Sequence, residues 1–170
     1  GFSTLFLAQV FGVSRQKGLR AVIENGVKLI VRTQNDEGGW RYEPQKGDAD
    51  ISVTVCQVLA LRAARNAGLY VPPATIDACR QYVTALQNSD GGFRYTSQPG
   101  ESAYGRTASA MVSLQSLGWA RKQVLKRGVD YLMQHIPPNQ DYAGDPHYFY
   151  GQKTIYQKDR LRGFFVPQSH

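Results

Sequence analysis

The sequence predicts an all-α protein built as an array of helical hairpins, with apolar helices inside and amphipathic helices outside. Three observations carry that expectation. A block of sequence returns: Gln34-Asn-Asp-Glu-Gly-Gly-Trp-Arg-Tyr42 recurs as Gln87-Asn-Ser-Asp-Gly-Gly-Phe-Arg-Tyr95, 53 residues later. The flanks keep that offset without a gap, pairing Gly47 with Gly100, Asp48 with Glu101, Thr54 with Thr107 and Leu61 with Leu114, and a period of this length marks repeat architectures. Outside the blocks, apolar residues recur at helical spacing, and no segment of useful length alternates as a strand would.

Each element follows from its residues. Positions 2 to 11 form an apolar run, read as the first inner helix, with Gly12 ending it and Ser14 placed to cap the next. From about Arg15 to Thr33, Leu19, Val22, Ile23, Val27, Ile30 and Val31 form the stripe of an amphipathic outer helix. Gly18 and Gly26 weaken that helix by roughly 1 kcal/mol each relative to alanine. The Gln34 block is a loop, in which Gly38-Gly39 permits positive φ and Trp40 and Tyr42 supply large apolar plates. Ile51 to Ala67 is apolar on nearly every side, which places it in the interior. Gly68 stops it, and Val71-Pro72-Pro73 forces an extended link.

The order then repeats. Thr75 to Leu86 is amphipathic, the Gln87 block is the loop, and Ala103 to Leu117 is the second interior helix, stopped by Gly118. A third outer helix is expected from about Ala120 to His135, broken by Pro137-Pro138. No third glycine–aromatic block follows. His147 to Tyr156 is read as the start of a third inner helix, and Lys158 to His170 as an irregular basic tail. The repeat domain is thus expected to span residues 1–157 and the tail 158–170. Trp40, Phe93 and the two block glutamines read as staples between the layers.

Composition narrows the function. At 170 residues, 42% hydrophobic and 19% charged, the chain is a globular mixture large enough for one sizeable core. No apolar run approaches the roughly 18 to 20 residues that span a bilayer. No basic segment precedes the apolar start, so it does not read as a signal peptide; the missing initiator Met suggests a trimmed piece and leaves an upstream segment open. The net charge of +7 is compatible with contact at an anionic membrane surface. Its basic residues are nevertheless scattered over helix faces without an aromatic-interleaved patch, so no nucleic-acid partner is expected. Cys56 and Cys79 lie far apart without metal-ligand spacing; they read as buried thiols and do not fix a compartment.

One carboxylate pair is not repeated. Asp48 and Asp50 stand just before the first interior helix, where the second unit has Glu101 and Ala103. Such an asymmetry is expected of a site grafted on a repeat, and equally of drift. An Asp in that place is first of all a helix N-cap. Facing an interior space, it also suits a polar ligand contact or a proton donor. On the residues alone these alternatives stay open.

At these residues the sequence resembles the terpenoid cyclase and protein prenyltransferase superfamily. The Gln-x-x-(Asp/Glu)-Gly-Gly-(Trp/Phe) blocks at Gln34 and Gln87 are similar to the QW repeat of squalene and hopene cyclases, over about residues 1–157. The resemblance implies an α/α toroid, with inner helices around an apolar cavity. Family toroids have more hairpins than the about two and a half found here, so the chain is expected to form an incomplete sector. The implied function is binding of an apolar isoprenoid, with acid-initiated cyclisation as its sharper form. Asp48 and Asp50 match the first and middle residues of the family's Asp-x-Asp-Asp-Thr motif, the middle one being the proton donor; Ile51 and Ser52 replace the last two. The resemblance therefore implies Asp50 and Asp48 as catalytic residues.

That chemistry needs a carboxylic acid kept protonated near neutral pH, for which burial beside a second carboxylate is the physical means. It also needs aromatic walls that shield a carbocation from water. Trp40, Tyr42, Tyr104 and Tyr148 are the substrate-binding candidates, with Trp119, Phe149 and Tyr150 as further rings. Prenyltransferase β subunits place a zinc-binding Asp-x-Cys after the equivalent loop. Here Asp50 stands at the Cys position, and the similar His147-Tyr-Phe-Tyr-Gly151 segment comes nearly two repeats later, so no metal and no cofactor is expected. The rival function is a non-catalytic helical scaffold or interaction domain. The open apolar edges of a truncated array predict self-association.

Overall fold

In the computed structural model, which describes residues 1–118 and 122–135, the chain is a two-layer helical sector. The inner layer is α1 (Phe2–Ser14), α3 (Ile51–Asn66) and α5 (Tyr104–Ser116); the outer layer is α2 (Lys17–Thr33), α4 (Pro73–Ala85) and α6 (Lys122–Gln134). Inner helices stack in order, α1 on α3 and α3 on α5, while α2 packs on α1 and α3 and both α4 and α6 pack on α5. The only extended pairing among the described residues is an isolated bridge between Gln87 and Phe93. This is the all-α sector of an α/α toroid. None of the described helices is long and apolar enough to cross a membrane. The expected third inner helix at 147–156 and the tail at 158–170 lie outside the described residues.

Packing explains the layers. Ile51, Val58, Leu61 and Leu114 of the inner helices meet Ile23, Val27, Ile30 and Val83 of the outer ones in one continuous core. α2 turns Ile23, Val27 and Ile30 inward, as their 3–4 spacing requires, and exposes Arg20, Lys28, Leu29 and also Val22, which was expected in the stripe.

Two boundaries differ from expectation. Gly12 does not end α1, and Ser14 does not cap α2; the helix runs through Ser14 and stops at Arg15, which takes φ 53°. A lone glycine costs a helix only about 1 kcal/mol, so it need not break one. Arg15 instead uses its position, donating to the Ala67 carbonyl at the end of α3 (3.3 Å) and lying over the Phe11 ring. Gly26, which weakens α2 locally, is where α2 crosses α1. A Cβ there would sit 2.6 Å from Thr4 Oγ1, so only glycine allows the approach.

The two repeat loops clasp the layers with matching bonds. Gln34 Nε2 donates to the carbonyls of Gly38 (2.8 Å) and Thr75 (3.0 Å). Gln87 Nε2 donates likewise to Gly91 (3.0 Å) and Val124 (3.0 Å). Each glutamine thus ties its own loop to the first turn of the following outer helix. Asn35 and Asn88 close their loops on the carbonyls of Gly47 and Gly100. The Trp40 and Phe93 N–H groups donate to Thr54 and Thr107 hydroxyls in the inner helix that follows. Gly38 (φ 98°) and Gly91 (φ 91°) pass directly under the α4 and α6 backbones, at the carbonyls of Ala78 and Arg127.

Candidate active site

The first clasp delivers Asp50 to the head of α3. Its own N–H donates to the Trp40 carbonyl (3.0 Å), and the next N–H, of Ile51, donates to the Tyr95 carbonyl of the second loop (3.0 Å). Asp50 is the N-cap: Oδ1 accepts from Val53 N–H (2.9 Å) and from Ser52 Oγ (2.5 Å). The residue is fully buried. Its second oxygen, Oδ2, has no hydrogen-bond partner among the described residues. Among the described residues the nearest cation is Arg41, with Nε at 3.9 Å from that oxygen.

Asp48 occupies a different environment. It is 71% exposed and pairs with Arg41 Nη1. The two carboxylates singled out from sequence therefore share one partner, Arg41, which sequence reasoning missed. Both repeat blocks carry an arginine at this place, so nothing in the sequence sets Arg41 apart from Arg94. Only the path of residues 43–49 back toward the helix brings both carboxylates to it.

The aromatic candidates separate in the same way. Trp40 lies inside the core with Nε1 donating to the Ile30 carbonyl (2.7 Å), a stapling position. Tyr42 is exposed, under the Arg41 guanidinium, and its hydroxyl meets that of its repeat counterpart Tyr95 at 3.2 Å. Tyr104 begins α5 and is half-buried against the core. Tyr148, with Trp119, Phe149 and Tyr150, lies outside the described residues. Ser52, Tyr82 and Tyr95 join the site without having been singled out. Tyr82 packs over Gly39 and keeps its hydroxyl buried without a hydrogen-bond partner among the described residues. Burial first, then the Asp50 charge, pushes the Tyr82 phenol up. Burial also raises Tyr95.

A pocket of about 450 Å³ opens beside this cluster. Its walls come from the inner helices and the first loop: Phe2 of α1, Val53, Val55 and Cys56 of α3, Ser109 of α5, and Arg41, Tyr42 and Ser52 at the polar end. Asp50 stands behind that wall, and Ser52 is the wall residue bonded to it. Cys79, by contrast, is enclosed in the core, where burial pushes its thiol up. Among the described residues no group of His, Cys, Asp and Glu side chains is arranged to hold a metal ion.

The arrangement offers a mainly apolar, open pocket with a buried carboxylate behind its Ser52 wall. No curated protein and no solved structure matches the chain. The family model for the squalene-hopene cyclase C-terminal domain matches residues 6–159, spanning both clasps and the helices they join. The chain belongs to the squalene-hopene cyclase C-terminal domain family.

Proposed function

We propose that this domain binds an apolar isoprenoid in the inner-layer pocket and presents Asp50 as the acid that starts its cyclisation. The observation that supports this reading is the pocket itself, apolar along Phe2, Val53, Val55 and Cys56 and ending at Ser52, the hydroxyl bonded to a buried carboxylate. Burial of Asp50 keeps competing water from the carboxylate. In the reaction, the Ser52 hydroxyl gives its proton to one carbon of a double bond and takes the Asp50 proton in its place, leaving Asp50 as the carboxylate. The electron pair of the next double bond then closes the ring onto the cation. The last cation loses a proton or takes up water. Tyr42 adds an aromatic side chain to the pocket lining.

Cys56 supplies a readout that needs no turnover. Its thiol lines the pocket, whereas Cys79 does not. Squalene is expected to slow maleimide labelling of Cys56, and Val53→Trp, which fills the chamber, is expected to abolish that protection. Labelling indifferent to squalene would overturn the binding site. Asp50→Asn is expected to keep the protection and lose cyclisation. Equal turnover in that variant would remove the acid role.

A further inference from the structure

A second pocket, of about 400 Å³, lies on the outer layer, between α2 and residues 67–72, the link from α3 to α4. Its apolar lining is Val27 and Val31 of α2 with Tyr70 and Pro72 of the link, and Tyr70 is 78% exposed. The rest of the lining is charged: Arg20, Glu24, Lys28 and Arg32 follow one another at four-residue steps along α2. Arg20 and Glu24 neutralise each other as an ion pair (2.9 Å). Lys28 and Arg32 have no acidic partner among the described residues.

The second repeat shows the same place filled. At the 53-residue offset, Val27 corresponds to Arg80, Lys28 to Gln81, Val31 to Thr84 and Arg32 to Ala85. On α4 the Arg80 side chain itself crosses from the outer helix to the inner layer. Its Nη1 pairs with Asp77 (2.7 Å), the counterpart of Glu24, and its Nη2 donates to the Leu117 carbonyl at the end of α5 (3.3 Å). The first repeat has a valine there instead. It keeps an open pocket and adds two cations that the second repeat lacks.

Charge and size together name the occupant. A pocket of this volume takes a small molecule. Its apolar lining rewards a hydrocarbon chain that leaves water. Lys28 and Arg32, one helical turn apart, match an anion with more than a single charge. A phosphate monoester carries about −1.5 to −2 at neutral pH, so both cations find a partner, whereas a carboxylate offers one charge. The lining also gives the chain a place on the protein, which a lipid seated in a bilayer does not need.

We propose that this pocket binds a phosphate monoester with one short apolar chain, the phosphate on Lys28 and Arg32 and the chain along Val27, Val31 and Tyr70. The site belongs to the first repeat alone. It uses neither Asp50 nor the inner-layer pocket, so it stands or falls apart from the cyclisation reading.

Isothermal titration calorimetry with octyl phosphate tests it, with inorganic phosphate and octanol as the two halves of the ligand. Octyl phosphate is expected to bind, and each half to bind at least about tenfold more weakly. Lys28→Gln combined with Arg32→Ala, the residues of the second repeat, is expected to weaken octyl phosphate by about a hundredfold. Tyr70→Ala is expected to weaken it by about tenfold. Added salt should weaken binding to the unmodified chain and leave the double variant nearly unaffected. Val27→Arg, which copies Arg80, is expected to abolish binding; circular dichroism checks its fold, and where it fails to fold the double variant, altered only outside the core, decides. No binding of octyl phosphate, equal affinity for octanol, or unchanged affinity in the double variant would overturn the site. Capture by phosphatidic acid vesicles without binding of octyl phosphate would overturn it too, and mark this face of α2 as a membrane contact instead.

Discussion

The two clasps, residues 34–54 and 87–107, share a scaffold and differ in chemistry. Their glutamine and threonine bonds match one for one, and both asparagine amides donate to the corresponding glycine carbonyl. At the cap position, however, the first clasp has Asp50, bonded to Val53 N–H, and the second has Ala103, with no side-chain cap at all. Arg41 faces two carboxylates in the first, while Arg94 of the second donates to Asn88 Oδ1 (3.2 Å). Trp40 adds an indole bond to Ile30 that Phe93 cannot make. What holds the layers together is therefore present twice, and what can do chemistry is present once. Within this chain, the difference between the copies separates architecture from site.

Three experiments would sharpen or break that comparison. The largest effect is expected at the shared glycines. Gly38→Ala and Gly91→Ala each force a Cβ into a backbone carbonyl at positive φ, which should destabilise by about 2–5 kcal/mol. Denaturant midpoints should fall by similar amounts in the two variants, and a large inequality would mean that the clasps are not equivalent supports. A smaller effect is expected from exchanging the caps. Asp50→Ala should destabilise by about 1 kcal/mol through the lost Val53 bond, and Ala103→Asp should recover a comparable amount at α5, both read by thermal unfolding. If Ala103→Asp stabilises while Asp50→Ala does not destabilise, capping is not what Asp50 contributes.

The smallest effect concerns pH. Tyr82 has its folded pKa raised by burial and by the Asp50 charge. A group raised in the folded state adds stability that is intact below its unfolded pKa, about 10 for tyrosine, and is lost as pH climbs beyond it. Stability should thus be flat in this respect at neutral pH and decline in the alkaline range. Tyr82→Phe should decline less steeply. Its counterpart over the second loop, Tyr131, is raised by burial and then by the Asp90 charge, so Tyr131→Phe should show the same sign. Alkaline titration of the unfolding midpoint checks both.

Much of this was readable from residues alone, and the exceptions share a cause. The layers follow from local pattern: α2 and α6 carry narrow apolar stripes, and α3 is apolar most of the way round, so each declares its place. The glycine pairs announce the loops because few other residues make that turn. What the pattern hides is anything set by contacts distant in sequence. Gly12 looked like a stop because glycine often is one, whereas the true stop at Arg15 depends on a carbonyl 52 residues away. Asp48 and Asp50 looked like a pair because they are two residues apart. Their common partner, Arg41, and the separation into one exposed and one buried carboxylate depend on how the loop returns. Ser52 and Tyr95 belong to the site through bonds that cross from one repeat to the next, which no local window contains.

The forward reach of the glutamines gives the array a polarity. Gln34 and Gln87 each grip a helix that comes later in the chain, and neither reaches back. Loss of the leading hairpin would leave the Gln87 anchorage untouched, whereas loss of α6 would strand the Gln87 amide and loosen the loop that supports Tyr95. Damage should consequently spread from the trailing end toward the front, and a ribosome releasing this segment would complete each fastening only after the following helix had emerged.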